Sequence, residues 1–178
     1  FDKKTRFRLW IETYWLKVFF KKEYKAIVQT KTMQKLFKEK NGFDSVKIPL
    51  NPNISKMKVT KNIKISYDFC YIANYLPHKN HKNLLDAWSM LAEDKIYPSL
   101  ALTITPEELK KYLINSSSEL KNTHIYCLGN LSHEASMKLL TKSNCLIYPS
   151  ISESYGLPLV EALQLNKPIV ASEKDFIR

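Results

Sequence analysis

Residues 145–171 read CLIYPSISESYGLPLVEALQLNKPIVA, and this stretch decides the fold. Its first four and last three residues form short apolar runs that predict buried strands. Between them, residues 157–165 have the apolar spacing of a helix, which Gly156 and Pro158 introduce, since proline suits a first helical turn. A strand, a helix and a second strand in succession predict a parallel βαβ unit.

The same alternation of strands and helices extends back to Tyr67. Strands are predicted at 69–73, 100–104, 124–128, 145–148 and 169–171, and helices at 83–92, 106–114, 134–141 and 157–165. Nearly continuous apolar strands that alternate with amphipathic helices indicate a parallel sheet covered on both faces. We therefore predict a doubly wound, Rossmann-like α/β domain over residues 67–178, with the strand order 3-2-1-4-5.

Residues 1–66 have a different pattern. Residues 1–50 are predicted to be the end of a preceding domain, and residues 51–66, rich in lysine and asparagine, a linker. A helix over residues 6–22 has one apolar, aromatic face bordered by lysine and arginine, which fits packing on a preceding domain or contact with an anionic membrane surface. Because the chain starts at Phe1 and stops shortly after a predicted strand, we expect it to be truncated at both ends.

The chain is basic, with 28 lysine and arginine residues against 17 aspartate and glutamate residues and a formal net charge of +11. Such a balance is typical of proteins that bind nucleic acid, an anionic membrane or a phosphorylated substrate. Only three glycines are present, which argues against a glycine-rich nucleotide loop. The cysteines lie in apolar runs without a CxxC pair, which indicates a reduced, cytoplasmic protein and neither zinc nor redox chemistry. No apolar run reaches the ~20 residues of a membrane span.

Two loops are placed to form a binding crevice. In an open parallel sheet, ligands bind beyond the carboxyl ends of the strands, where the strand order reverses. In the predicted order that point lies between the first and fourth strands of the domain, which are followed by the loops 74–82 and 149–158. The second loop leads into a helix whose first N–H groups, from Gly156 and Leu157, suit a diphosphate.

Two carboxylates flank this turn. Glu153 precedes it, and Glu161 follows about one turn inside the helix. A carboxylate beside bound phosphates is unfavourable unless hydroxyl groups donate hydrogen bonds to it, and the hydroxyls of a sugar or a ribose can do so. Glu161 also fits a purely structural role, because carboxylates stabilise helix N-termini without any ligand.

The two loops resemble those of a known family. Residues 153–162, ESYGLPLVEA, resemble the E-x7-E signature of family 4 glycosyltransferases, and residues 79–87, KNHKNLLDA, resemble the family's K-G-x-x-x-L-L-x-A segment. Resemblance extends to the segments between and after these motifs: 128–131, 146–150 and 167–172. It covers residues 67–178 well and implies the C-terminal, donor-binding domain of a GT-B fold. It covers residues 26–53 loosely and implies that residues 1–50 are the end of the N-terminal acceptor domain.

The resemblance implies a retaining, hexosyltransferase-type enzyme that moves a sugar from a nucleoside-diphosphate sugar to a glycan or lipid-linked acceptor. Glu153 matches the glutamate that contacts donor-sugar hydroxyls near the reacting carbon and is the candidate catalytic residue, while Glu161 matches the glutamate that holds the ribose. Four residues match family positions that contact the donor sugar and phosphates: Lys79, Tyr155, Gly156 and Leu157. The nucleotide sugar is a co-substrate, and the resemblance implies no other cofactor and no metal.

One position departs from the family pattern. Asn74 stands where many members have an arginine. Asn74 itself and Lys82 are further candidate phosphate contacts, with His78 as an alternative. His78 and His81 have a spacing seen among metal ligands, but no acidic or cysteine residue accompanies them, so no metal site is predicted.

The loop Pro-His-Lys-Asn-His, residues 77–81, resembles that of enzymes that build bacterial surface polysaccharides. The resemblance thus implies polysaccharide or lipopolysaccharide synthesis, in the cytoplasm or peripherally at the inner face of the plasma membrane. We expect the acceptor half to lie outside this chain, and the chain alone to be inactive. Two alternatives stay open: a sugar-nucleotide epimerase or hydrolase of the same fold, and a non-catalytic basic domain that binds nucleic acid. The second lacks an aromatic basic strand, a recognition helix or a zinc spacing, and no nucleic-acid partner is expected.

Overall fold

The computed structural model describes residues 3–19, 25–48, 66–114 and 123–174. The chain forms two compact units, residues 1–51 and 52–178. Nearly all of the predicted linker, residues 51–65, lies outside the described ranges, as do residues 20–22 of the predicted N-terminal helix. The assignment of these units to an acceptor domain and a donor domain stays a prediction.

The described residues of the first unit form α1 (Lys3–Phe19), β1 (Ala26–Val28), α2 (Lys31–Asn41) and β2 (Ser45–Lys47). The two strands pair in parallel, with Ala26 opposite Ser45. Helix α2 begins where the Thr30 hydroxyl accepts a hydrogen bond from the Met33 N–H, and it ends at Gly42, whose φ of 77° is left-handed. None of the helices in the described ranges is both long and apolar enough to cross a membrane.

The second unit is a parallel α/β domain. Its strands are β3 (Tyr67–Tyr71), β4 (Leu100–Leu102), β5 (Ile125–Cys127), β6 (Ser143–Tyr148) and β7 (Ile169–Ala171). Its helices are α3 (His81–Glu93), α4 (Pro106–Ile114), α5 (His133–Thr141) and α6 (Leu157–Gln164), with a short 3-10 turn at Pro77–Lys79. The strands lie in the order β5-β4-β3-β6-β7, all parallel, which confirms the predicted doubly wound order and places the reversal between β3 and β6.

The central strands are buried on both faces. Leu100, Leu102 and Leu146 have no exposed surface, and helix α3 covers the sheet with Leu85 and Trp88. Each such side chain contributes about 1.5–3 kcal/mol on burial, so the core fixes the sheet on which the crevice loops are mounted. The Trp88 ring also satisfies its one donor, because Nε1 donates to the Pro98 carbonyl at 2.9 Å.

Strand β3 starts two residues before the predicted position and ends two residues before the predicted end. It can begin early because the carboxylate of Asp68 accepts the Ser99 N–H and hydroxyl, at 2.9 and 2.7 Å, and these bonds lower the pKa of Asp68. At the other end, the backbone of Ala73 bonds the Thr103 hydroxyl instead of a neighbouring strand. The chain therefore leaves the sheet early and turns into the crevice loop.

Candidate functional site

The loops that follow β3 and β6 are joined to each other by a backbone hydrogen bond and a side-chain hydrogen bond. The N–H of Ile151 donates to the carbonyl of His78 at 2.8 Å. The side-chain amide of Asn80 donates to the carbonyl of Pro149 at 3.1 Å. These two loops thus form one cross-linked structure at the point of strand reversal, where the sequence predicts a binding crevice.

Tyr71, the last residue of β3, fixes this junction from below. Its side chain is fully buried, and its hydroxyl donates to the carbonyl of Lys79 at 2.8 Å. The same hydroxyl shares a hydrogen bond of 2.9 Å with the buried hydroxyl of Ser150. Burial raises the pKa of Tyr71 far above its usual value, so the phenol stays neutral and keeps its donor.

Lys79 and Glu153 meet across the crevice. Lys79 Nζ lies 2.6 Å from Glu153 Oε1, and the two side chains are only 16% and 9% exposed. Burial by itself raises the pKa of the Glu153 carboxyl, but hydrogen bonds from the Lys79 ammonium and the Ser150 hydroxyl outweigh it and lower this pKa below its usual range. Glu153 is therefore charged at neutral pH, and its charge is balanced by Lys79.

Helix α6 begins beside this pair with the backbone turn that the sequence predicts. Gly156, its N-cap, has a φ of 79°, and Pro158 lies in the first turn. A Cβ at position 156 would stand 2.8 Å from the Leu159 Cδ1 atom, so both the left-handed backbone and the close approach favour glycine. Because glycine has no side chain that could accept hydrogen bonds from the first N–H groups of α6, these groups are suited to bind an anion.

Glu161 is the second carboxylate, and it lies inside α6. The residue is 6% exposed, and its Oε1 lies 2.9 Å from Nε2 of His133, the first residue of α5. The His133 side chain is 70% exposed, so this imidazole covers the buried carboxylate from the solvent side. The contact brings α5 and α6 together at the crevice edge of the sheet.

The remaining candidates are less closely connected to this group. Lys82 Nζ lies 3.1 Å from Asp86 Oδ2, one turn further along α3, and its side chain is 67% exposed. Asn74 and Leu157 are exposed, and Tyr155 is half-buried in the turn before α6. Among the described contacts, the structure thus brings Lys79 and Glu153 together directly, and it leaves Lys82 and Asn74 as candidates by position alone.

Two histidines gain importance from the structure. No sequence signal relates His133 to Glu161, because the two are 28 residues apart on different helices. His81 is 2% exposed, and neither ring nitrogen has a hydrogen-bond partner among the described residues. Its ring lies 4.8 Å from Tyr71 and 5.4 Å from Tyr75, and burial lowers its pKa to about 4, so it is a neutral ring packed between aromatic rings.

The chain matches a protein family and several curated proteins. The family is described as Glycosyl transferases group 1, and the match covers residues 54–178. The chain is 29% identical over 100 residues to the serotype-specific mannosyltransferase WbdA of Escherichia coli, covering 54% of this chain and 12% of that protein. It is 27% identical over 172 residues to the uncharacterized glycosyltransferase MJ1059 of Methanocaldococcus jannaschii, covering 88% and 41%. The chain thus spans less than half the length of either relative.

The fold is shared with solved glycosyltransferase structures. Sucrose-phosphate synthase from Thermosynechococcus elongatus aligns with a TM-score of 0.65 at 16% identity, over 97% of this chain and 46% of that one. At such identity the similarity concerns the fold, and it confirms the predicted GT-B type of architecture. Because the family match extends over more than half of the sequence, the chain belongs to the group 1 glycosyl transferases.

Proposed function

We propose that this chain supplies the donor-binding part of a retaining glycosyltransferase, which moves a hexose from a nucleoside-diphosphate sugar to a glycan or lipid-linked acceptor. The observation that carries the proposal is the contact between Lys79 and Glu153 next to the start of α6, at the point of strand reversal. A cation and helix N–H groups suit phosphates, whereas carboxylates suit hydroxyls, and a nucleotide sugar presents both.

Each group has a part in the proposed reaction. Lys79 and the N–H groups at the start of α6, with the backbone of Tyr155, stabilise the negative charge that develops on the departing diphosphate. Glu153 accepts hydrogen bonds from hydroxyls of the donor sugar near the reacting carbon. Glu161 accepts the ribose hydroxyls, and its bond to His133 fixes the direction in which its second oxygen points.

The acceptor and the pathway belong to the whole protein. The name of the relative WbdA, a serotype-specific mannosyltransferase, supports a hexose donor and a product that is a surface polysaccharide or lipopolysaccharide. We place the reaction in the cytoplasm, at or near the membrane. Helix α1 supports this placement, because Phe7, Trp10 and Tyr14 are each more than half exposed on a helix that also carries lysine and arginine. We further propose that this chain alone binds the donor without transferring its sugar.

The proposal is tested by nucleotide binding. Purified chain is titrated with UDP, GDP, ADP and a single-stranded oligonucleotide while its melting temperature is followed. A ligand that binds the folded state alone raises the melting temperature, so one nucleoside diphosphate is expected to stabilise the chain and the oligonucleotide to have a smaller effect. Lys79→Met is expected to lower the affinity for that nucleotide about tenfold or more, because the variant loses a charge-assisted hydrogen bond.

Lys138→Met is the matched control, because Lys138 also pairs with a glutamate at 2.6 Å but on the exposed surface of α5. It is expected to bind nucleotide like the parent. Stabilisation by the oligonucleotide with none by any nucleoside diphosphate would instead support the nucleic-acid-binding alternative and contradict the proposal.

A further inference from the structure

The pair formed by Lys79 and Glu153 joins two groups that a donor would need separately. The ammonium is the proposed phosphate contact and the carboxylate the proposed sugar contact, yet here they satisfy each other at 2.6 Å. The loops that carry the two side chains are joined by the bonds from Ile151 to His78 and from Asn80 to Pro149, which keeps the ammonium and the carboxylate adjacent. A donor must therefore replace this pair rather than fill an empty position.

The consequences differ for a bare nucleoside diphosphate and for its sugar conjugate. A diphosphate that takes the Lys79 ammonium leaves the Glu153 carboxylate only 9% exposed, without its cation and beside new negative charge. A buried charge that loses its partner is strongly destabilising. The sugar conjugate brings hydroxyls to that carboxylate in the same step and so replaces the hydrogen bonds that the lysine withdraws.

Resting on the proposed function, we infer that Glu153 is a specificity-determining residue, which makes the site prefer a sugar nucleotide over the bare nucleoside diphosphate by reclaiming Lys79 whenever no sugar is present. The same contact acts after transfer. Once the sugar has left, the carboxylate keeps its hydrogen bond with the Ser150 hydroxyl but loses those from the sugar, and the pair with Lys79 forms again as the nucleoside diphosphate leaves. Glu153 thereby limits inhibition by the product.

The inference predicts a gain of affinity from the loss of a site residue. Glu153→Gln keeps the size of the side chain, removes its charge and releases Lys79 for phosphate. By calorimetric titration with UDP and UDP-glucose, or with GDP and GDP-mannose if the parent binds guanine nucleotides, the variant is expected to bind the bare diphosphate about tenfold more tightly. Affinity for the sugar conjugate is expected to stay the same or fall, so the preference for the conjugate shrinks at least tenfold.

Two further variants assign the cause. In the double variant Lys79→Met with Glu153→Gln, the gain over Lys79→Met alone is expected to fall below about threefold, because no lysine remains to be released. Glu134→Gln removes the carboxylate of the exposed pair with Lys138, also at 2.6 Å, and is expected to change neither affinity. Melting curves of each variant confirm that the compared proteins are folded.

The outcomes separate this inference from the proposed function. If the parent binds neither nucleoside diphosphates nor their sugar conjugates, the proposed function is wrong and the inference falls with it. If the parent binds them but Glu153→Gln binds the bare diphosphate no more tightly, the inference alone is overturned. An equal gain with and without Lys79 also overturns it, since simple repulsion between Glu153 and phosphate would then be the cause.

Discussion

Glu153 and Glu161 lie at the same crevice but have partners of different kinds. Glu153 is paired with a lysine whose side chain is 16% exposed, whereas Glu161 is covered by a histidine that is 70% exposed. Removing one member of a buried pair leaves a charge without compensation, while an exposed partner is screened by solvent and contributes less. A ligand that reaches Glu161 therefore disturbs less existing structure than one that reaches Glu153.

Glu161→Gln is expected to lower the affinity for the nucleoside diphosphate and the affinity for its sugar conjugate by the same factor. Both ligands carry the ribose that Glu161 is proposed to hold, and a hydrogen bond to a charged acceptor contributes about 1.5–3 kcal/mol. A loss of about tenfold or more in affinity follows for each ligand, measured by calorimetric titration. The amide can still accept a hydrogen bond from His133, so the melting temperature should change little.

Variants of His133 serve as the control for this prediction. His133→Leu removes the hydrogen bond to Glu161 and should lower nucleotide affinity about threefold. His133→Gln offers an N–H donor to Glu161 and should bind nucleotide nearly as well as the parent. Binding of both ligands by Glu161→Gln at parental strength would show that Glu161 does not hold the ribose.

The elements of the site are two loops and the helix that follows the second. The loop after β3 contains a 3-10 turn with backbone hydrogen bonds of its own, and the bonds between the two loops and the Tyr71 hydroxyl hold both loops in place. Helix α6 continues the second loop through Gly156 and packs Leu159 and Ala162 against the core. A change in the turn at Gly156 is thus expected to affect both stability and binding.

Gly156→Ala is expected to lower both stability and nucleotide affinity. Its φ of 79° is unfavourable for any residue with a Cβ, and the new methyl group would press on Leu159 at 2.8 Å. The strain costs about 1–3 kcal/mol, which lowers the melting temperature by several degrees. Rotation of the turn would also redirect the first N–H groups of α6, so nucleotide affinity should fall about tenfold.

Gly129→Ala is the control for the glycine substitution. Gly129 lies in the same unit with a φ of 72°, and an added Cβ there meets no atom within 4 Å. Gly129→Ala should cause backbone strain similar to that in Gly156→Ala, but it should not lower nucleotide affinity. If Gly156→Ala binds nucleotide as well as Gly129→Ala does, the start of α6 does not contact the ligand.

Local patterns in the sequence predict the elements of this site better than its contacts. The alternation of strands and helices and the turn at Gly156 follow from apolar periodicity and from the pairing of glycine with proline, which act over a few residues. The strand order then follows from the doubly wound fold class that this alternation indicates. The early start of β3 was missed because Asp68 looks unsuited to a strand until Ser99 is known to bind it. Contacts such as Lys79 with Glu153, 74 residues apart, depend on side-chain geometry that no spacing encodes.

At the scale of the whole molecule, the positive charge exceeds the negative by a formal +11. A basic protein attracts anionic ligands and speeds their arrival, but charge of this kind does not select among them. Selection requires fixed groups, and the proposed site offers the Lys79 ammonium and the first turn of α6 to phosphate and the Glu153 carboxylate to a sugar. General charge and local geometry thus contribute separately to the proposed binding of a nucleotide sugar.

Nucleotide binding is expected to survive the removal of divalent metals. The sequence contains no Asp-x-Asp motif, which would hold a metal against a diphosphate, and within the described ranges no three histidine, cysteine, aspartate or glutamate residues are grouped to bind one. Lys79, the helix N-terminus and the basic balance of the chain supply the positive field instead. Titration with UDP or GDP in EDTA should therefore give the same affinity, within about twofold, as titration in magnesium or manganese. Affinity that disappears in EDTA and returns with either metal would contradict this expectation, and a loss of metal-independent binding in Lys79→Met would identify the lysine as the group that takes the metal's place.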